Sequence, residues 1–406
     1  MHETPKANRL HIAIFGRRNA GKSSLINALT NQDIALVSDV PGTTTDPVFK
    51  AMEILPIGPC MIIDTAGIDD EGQLGELRIK KTREVLNQTD LALLVIDAQA
   101  GVSDFDIELK HEIQGRKLPV VGVVNKNDTG EYDLTHMERQ LGIPLVKVSS
   151  KTKQGISQLK ERIIQAAPFD FEEPYIAGDL INPGDVVVLV VPIDLAAPKG
   201  RLILPQVQTI RDILDNDAIS MVVKERELRE AMAKLKDNPR LVVTDSQAFL
   251  KVAADTPSSV MMTSFSILFA RYKGDLVELA KGAHAIESLK PGDKVLIAEA
   301  CTHHRQADDI GRTQIPRWLR QHVGGDLDFQ WSSGNGYPEN LEDFNLIVHC
   351  GGCMINRRQM LWRIHQAKDK GVPIVNYGIL LAYVHGILER ALAPFPLALM
   401  AYQGDI

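Results

Sequence analysis

The stretch RLHIAIFGRRNAGKSSLINALTNQ, residues 9–32, decides the fold of the N-terminal part of the chain. It reads as a short apolar strand, a loop with a glycine at each end, and an amphipathic helix. Residues Gly16 to Ser23 fit the spacing G-x-x-x-x-G-K-[ST]. In that pattern the glycines let backbone N–H groups curl around phosphates, and the following helix turns its positive dipole end toward them. The expected phosphate-binding residues are Gly16, Asn19, Ala20, Gly21, Lys22, Ser23 and Ser24. Lys22 is placed to reach the β- and γ-phosphates and Ser23 to ligate magnesium. A glycine-rich loop alone can be a plain turn; the strand–loop–helix context argues for a phosphate cradle.

Four further stretches follow in a fixed order, and the order strengthens each. VPGTTTDPV (40–48) is a threonine-rich loop in which Thr44 puts its hydroxyl on magnesium when a γ-phosphate is present. MIIDTAGI (61–68) ends an apolar strand at Asp64, expected to hold magnesium through water, and Gly67 offers its N–H to the γ-phosphate. VVGVVNKNDTG (120–130) ends another strand with Asn125, Lys126 and Asp128. A carboxylate at the last of these accepts two hydrogen bonds, from guanine N1 and the exocyclic amine, which adenine cannot supply. That selects GTP. LVKVSSKTKQG (145–155) adds Ser149, Ser150 and Lys151 on the base side. Lys22, Thr44, Asp64 and Gly67 form the expected catalytic set. GIDDEGQLGELRIKKTREVL (67–86) suits either a second switch, rearranged when the γ-phosphate leaves, or an ordinary solvated loop.

The bulk numbers frame this reading. A chain of 406 residues predicts two or three domains. Hydrophobic content of 44% and charged content of 24% are those of a globular protein. The formal net charge of -7 argues against general nucleic-acid binding, which favours a basic face. The start, MHETPKANRLHIAIFG, lacks a signal-peptide pattern, and no apolar run approaches the ~18 residues of a membrane span. Four cysteines make no disulfide framework, so a cytoplasmic, reducing setting is expected.

The first 168 residues are thus expected to form an α/β nucleotide-binding domain. QAAPFDFEEPYIAGDLINPGD (165–185) reads as a boundary. Beyond it, DVVVLVVPID and RLVVTDSQ read as strands, and QTIRDILDN (208–216) and KERELREAMAKLKDN (224–238) as helices. Together they predict a small α/β domain over 178–262, suited to subunit contacts. Lys199 and Arg201 in its APKGRLILPQVQ connection read as solvated cations or as contacts to a phosphate or partner.

The region 265–406 holds three of the four cysteines. PGDKVLIAEACTHHRQADDIGRTQIPRWLRQHV (291–323) gives a strand ending near Ala298, then Cys301, His303 and His304. NLIVHCGGCMINRRQMLWRIHQAK (345–368) repeats the design, a strand running into His349, Cys350 and Cys353 and then a helix. In an open α/β sheet the loops at the carboxyl ends of strands converge on one crevice, so the three cysteines are expected to meet. Three thiolates with one or two imidazoles suit soft or borderline metals. A structural zinc site and a [4Fe–4S] cluster held by three cysteines both fit the spacing. Cys60, alone in IGPCMIID, reads as a buried core residue.

Residues 1–168 resemble the Era/TrmE-like branch of GTPases, on GRRNAGKS and the four motifs that follow. That resemblance implies that Asn19 helps to hold a potassium ion beside the phosphates. It also implies slow intrinsic hydrolysis, because Ile68 stands where Ras-like proteins carry a water-positioning glutamine. The whole chain resembles the HydF family of [FeFe]-hydrogenase maturation GTPases, on Cys301, His303, His349, Cys350 and Cys353 behind such a GTPase domain, with PKGRLILPQVQ and PRWLRQHVGGDLDF adding to it. The implied architecture is α/β throughout: a P-loop GTPase domain, a dimerisation domain and a cluster-binding domain. The implied function is a scaffold that binds GTP, Mg2+, K+ and a [4Fe–4S] cluster, and accepts a di-iron precursor as cargo. Its implied partners are two radical-SAM maturases, the apo-hydrogenase and a second copy of the chain; charge and hydropathy argue against a membrane or nucleic-acid partner. The fourth cluster ligand is open among His303, His349 and a non-protein ligand. Three rivals remain at this level: an RNA-directed GTPase, a cluster-based sensor, and a GTPase with a zinc-stabilised interaction domain.

Overall fold

The computed structural model of the chain describes residues 4–30, 47–65, 73–168, 174–192, 202–300, 309–334 and 336–405. The chain divides into two compact units, Met1–Glu172 and Glu173–Ile406.

Among the described residues, six strands form the sheet of the first unit: β1 (Leu10–Phe15), β2 (Val48–Ile54), β3 (Gly58–Asp64), β4 (Leu91–Asp97), β5 (Val120–Asn125) and β6 (Leu145–Lys147). Their order is β2-β3-β1-β4-β5-β6, with β2 antiparallel to β3 and the other pairs parallel. β1 is buried along its whole length, which is why it reads as a continuous apolar run: helices cover both faces of a parallel sheet. Ile12, Ile14, Leu91 and Leu93 pack on one face, and Ala13, Phe15, Ala92 and Leu94 on the other. The chain leaves β1 toward β3 on one side and β4 on the other, so the carboxyl end of β1 opens on a switch point of the sheet.

The second unit repeats one topology twice. β7 (Val186–Val190), β8 (Ile219–Val223), β9 (Leu241–Thr244) and β10 (Met261–Ser264) run parallel in the order β10-β9-β7-β8. β11 (Lys294–Glu299), β12 (Asp328–Ser333), β13 (Leu346–His349) and β14 (Ile374–Asn376) run parallel in the order β12-β11-β13-β14. In each sheet the strand order reverses between the first and third strands. The buried residues of both sheets belong to one contiguous core. The helix Phe265–Lys273 joins the two halves. Ser264 caps it by accepting from Ile267 N, Asn376 Nδ2 donates to Ser266 O at 2.9 Å, and Gly378 lies so close that a Cβ there would sit 2.6 Å from Ser266 Cβ.

Two helices differ from the sequence reading. The helix expected from Gln208 begins at Leu204, with Pro205 in its first turn, where a missing N–H costs nothing. The helix expected over 224–238 is confined to Leu228–Ala233. Glu227 accepts from Lys224 N at 3.1 Å and turns the chain before the helix, and the polar run after Ala233 meets Pro239. Without an apolar stripe to bury, the flanking charged residues do not hold a helix.

Candidate functional sites: a phosphate loop and a cysteine crevice

The phosphate loop leaves β1 at Gly16 (φ 144) and enters the helix Lys22–Thr30 after Gly21 (φ 85). A Cβ on Gly16 would strike Val95 O, and one on Gly21 would strike Asn125 Nδ2. Both positions therefore require glycine for space as well as for backbone angle. Asn19 sits at the exposed crest with φ 60, and Ala20 is buried beneath it. Lys22 is buried, its Nζ donating to Gly16 O and Arg17 O at 2.9 Å each, so the ammonium lies within the loop. Ser24 follows on the same helix.

Ser23 and Asp64 come from different elements and meet. Ser23 Oγ donates to Asp64 Oδ2 at 2.6 Å, and Asp64 Oδ1 is buried with no hydrogen-bond partner. Burial pushes the Asp64 carboxyl up, opposed by the Ser23 hydrogen bond and the Lys22 charge. A hydroxyl oxygen beside an unsatisfied buried carboxylate oxygen is a donor set that suits magnesium. Thr44, Gly67 and Ile68 lie outside the described residues.

The base-side residues form a joined pair of loops. Asn125 is buried and uses its whole amide. Nδ2 donates to Ala20 O at 3.0 Å and Gly21 O at 3.3 Å, while Oδ1 accepts from Ser150 N at 3.1 Å and Ser150 Oγ at 2.8 Å. It therefore ties the phosphate loop to the base-side loop. Asp128 is exposed, and Ser149 Oγ donates to its Oδ1 at 2.6 Å, which lowers its carboxyl pKa. Lys151 is exposed at the rim. Lys126 (φ 64) pairs with Asp97 at 2.5 Å. Asp97 was not singled out from the sequence. Its place at the end of a buried strand is the signal, since its Oδ1 also accepts from Gln99 N at 2.9 Å.

In the second unit, β11 and β13 lie side by side with Ala298 opposite His349. Their carboxyl ends thus share the switch-point crevice. Cys350 N donates to Ala298 O at 2.9 Å, and Ala300 N donates to Cys350 Sγ at 3.1 Å. Ala300 precedes Cys301 in the sequence, so the two cysteine-bearing segments start from the same place. Cys350 and Cys353 are half-buried. Burial pushes the Cys350 thiol up, with the Ala300 and Gly352 amides opposing. Gly352 has φ 63, and Gly351 has open space where a Cβ would be. Asn356 then caps the helix Arg357–Asp369 by accepting from Gln359 N. Cys301, His303 and His304 lie outside the described residues, as do Lys199 and Arg201. Among the described residues, no three His, Cys, Asp or Glu side chains gather as a metal site. Cys60 is buried in β3, its thiol pushed up to about 11 by burial.

His349 is buried at the end of β13, and both its ring nitrogens are engaged. Arg363 Nη1 lies 2.9 Å from Nε2, and Nδ1 lies 2.7 Å from Cys350 O. A guanidinium only donates, so Nε2 accepts and Nδ1 carries the proton. Burial, with the Arg363 charge, pushes the imidazole down to about 3. In this arrangement His349 orients the loop and has no free lone pair for a metal.

Two cations that drew no attention in the sequence surround the C-x-x-C loop. Lys273, at the end of the helix Phe265–Lys273, is 2% exposed and donates to Gly352 O (3.3 Å), Cys353 O (3.0 Å) and Ile355 O (3.0 Å). Burial lowers its pKa to about 8, with the two thiols opposing. Arg363 is 0% exposed; Nη2 donates to Gly334 O at 2.5 Å, and its Cζ lies 5.1 Å from the centroid of the Tyr337 ring.

The first unit has the fold and site geometry of a P-loop GTPase domain, and a family model described as a 50S ribosome-binding GTPase matches residues 11–126. Models described as the hydrogen maturase F dimerization and tetramerization domains match residues 176–274 and 277–394. The chain belongs to the hydrogen maturase F, or HydF, family. The region read from the sequence as cluster-binding is the one matched by the tetramerization model, and the two models together give the chain oligomerisation domains. Similarity to curated proteins covers the GTPase part: GTPase Der of Sulfurihydrogenibium sp. is 37% identical over 172 residues, which is 39% of this chain and 38% of that protein. The tRNA modification GTPase MnmE of Desulforamulus reducens is 37% identical over 158 residues, 38% of this chain and 34% of that protein. The chain thus spans little more than a third of the length of these relatives. Among solved structures, an Era variant of Aquifex aeolicus bound to GDP and AlF4- aligns with a TM-score of 0.36 and 20% identity, over 53% of this chain and 93% of that one.

Proposed function

We propose that this chain is a GTP-hydrolysing scaffold and carrier in [FeFe]-hydrogenase maturation. It holds a [4Fe–4S] cluster on Cys301, Cys350 and Cys353 and passes a di-iron precursor, received from radical-SAM maturases, to the apo-hydrogenase. The observation that carries this reading is the hydrogen bond from Ala300 N to Cys350 Sγ: it brings the strand end that leads into Cys301 against the C-x-x-C loop. Backbone N–H donors on sulfur suit thiolates that share a cluster, whose potential such bonds tune. When bound, the cluster supplies one iron whose fourth position is not a thiolate. With His349 engaged by Arg363, that position falls to His303 or to an exchangeable ligand.

In the GTPase domain, Asp128 reads guanine and Lys22 neutralises the β- and γ-phosphates. Ser23, Asp64 and Thr44 hold Mg2+, which supplies charge at those phosphates. Asn19 takes K+, and Gly67 binds the γ-phosphate. Hydrolysis is slow and potassium-stimulated because Ile68 cannot position water. Residues 178–262 form the homodimer contact, and residues 265–406 form the cluster domain of a cytoplasmic protein. Among the described residues no helix is long and apolar enough to cross a membrane.

The test is the iron, acid-labile sulfide and zinc content of anaerobically purified protein, with an EPR spectrum after dithionite. About four irons and four sulfides per chain are expected, with a reduced-cluster signal altered by imidazole or cyanide. Stoichiometric zinc without sulfide, persisting after reconstitution, overturns the cluster reading in favour of a zinc-stabilised interaction domain. Salt-sensitive RNA binding at submicromolar concentration would favour the RNA-directed reading that MnmE suggests.

A further inference from the structure

We infer that Lys273 and Arg363 are a pair of charge-compensating positioning residues that make the crevice of β11 and β13 a site for a net-anionic group and set its reduction potential. The inference rests on the reading of the C-x-x-C loop as part of a cluster site. It starts from a charge imbalance. A buried ammonium or guanidinium is costly unless an anion faces it. Among the described residues, no carboxylate pairs with Lys273 or with Arg363. Among the described residues, Lys273 donates to the carbonyls of Gly352, Cys353 and Ile355 and to no carboxylate. Three acceptors around one nitrogen match the three protons of an ammonium. Arg363 meets His349, Gly334 O and the Tyr337 ring, and its Nε is buried without a hydrogen-bond partner.

The carboxylate at the end of β11, Glu299, accepts from Tyr377 Oη at 3.4 Å, and it and Asp309 both act on that phenol, as Cys350 does. Arg363 faces the Cys350 thiol and the Tyr337 phenol, with the His349 ring at its Nη1, and Lys273 faces the Cys350 and Cys353 thiols. Two buried positive charges beside two cysteines, neither paired with a carboxylate among the described residues, describe a site completed by an anion. A cluster on three thiolates has that character, and each electron it accepts makes it more negative. The cations therefore favour the reduced state.

Their placement adds a second property. Lys273 lies within the stretch matched by the dimerization model, and Arg363 within the stretch matched by the tetramerization model. The C-x-x-C loop is gripped by the helix that ends the first half of the unit. Arg357 Nη1 strengthens the grip by donating to the carbonyls of Arg271 and Tyr272. Movement of that helix on assembly would act on the loop directly through Lys273.

The experiment is an EPR-monitored redox titration of the reconstituted full chain for wild type, Lys273→Met, Arg363→Met and Arg363→Lys. Iron content and thermal unfolding are measured on each. Met keeps the apolar stem volume and removes the charge. Wild type and Arg363→Lys should share a potential. Lys273→Met and Arg363→Met should each make reduction about tenfold less favourable, a shift of about 59 mV to the negative for one electron. If Lys273→Met does not fold, the contrast between Arg363→Met and Arg363→Lys carries the same decision. Unchanged potentials in charge-removed variants with wild-type iron content overturn this inference and leave the cluster reading standing. Wild type that takes up no iron overturns both.

Discussion

At the scale of single residues, the GTPase site depends on side chains that satisfy two loops at once. Asn125 makes four hydrogen bonds from a buried position. Asn125→Ala leaves two loop carbonyls and the Ser150 groups without partners, so a loss of about 2–4 kcal/mol is expected from the unfolding of the first unit. Nucleotide affinity should fall with it; chemical denaturation and fluorescent-nucleotide titration measure the two. Asp64 predicts the opposite sign. Its folded carboxyl pKa is raised, chiefly by burial, so its contribution to stability is present in acid and is lost as pH rises through that pKa. Asp64→Asn should therefore raise the melting temperature of magnesium-free protein at pH 7. The gain should shrink as pH falls through that raised pKa and the wild-type carboxyl takes up its proton. The same variant should lose magnesium-dependent GTP turnover. A melting temperature at or below wild type at pH 7 would refute the reading of Asp64 as a carboxylate held at a cost for metal.

At the scale of elements, the turn that presents the cysteines can be tested glycine by glycine. Gly352 has φ 63 and Gly351 has open space at its Cβ position without a left-handed angle. Gly352→Ala should cost about 1–2 kcal/mol and lower cluster content, because the left-handed region is unfavourable for an L side chain. Gly351→Ala should leave both within error; equal effects in thermal melts and iron assays would show that the turn itself is not the constraint. The phosphate loop and the strand ends were legible in the sequence because their signals are local: glycine spacing, an apolar run, an acid or cysteine at its end. The sequence overextends the short helix Leu228–Ala233, because its charged flanks suit a solvated helix but bring no apolar stripe to bury. Asp97, Lys273 and Arg363 were not legible. Each acts on a loop 29, 79 and 14 positions away, respectively, and only the sheet order and the helix Phe265–Lys273 bring them there. The engaged ring of His349 was hidden for the same reason, since Arg363 lies on the following helix.

At the scale of the whole molecule, the second unit carries the surfaces that assembly must cover. β8 is one of the two edge strands of its sheet among the described residues, β10 being the other, and unpaired strand edges invite pairing with another chain. Its Ile219 is 54% exposed and its Val222 45% exposed, on opposite faces of the strand. Val207 and Leu214 are also exposed, on the preceding helix Leu204–Asp215. An edge that shows apolar side chains on both faces, with no lysine or proline inside the strand to block pairing, suits association with a second copy along that edge. Replacing Ile219 and Val222 with Lys places two charges where each apolar side chain would contribute about 1.5–3 kcal/mol on burial. The dimer dissociation constant of the double variant should rise by at least about a hundredfold. Sedimentation velocity should show a smaller species at micromolar concentration. GTP turnover should be retained, because the substitutions lie outside the Met1–Glu172 unit. An unchanged sedimentation coefficient would move the dimer contact elsewhere on the 176–274 stretch, to surfaces that β8 does not contribute.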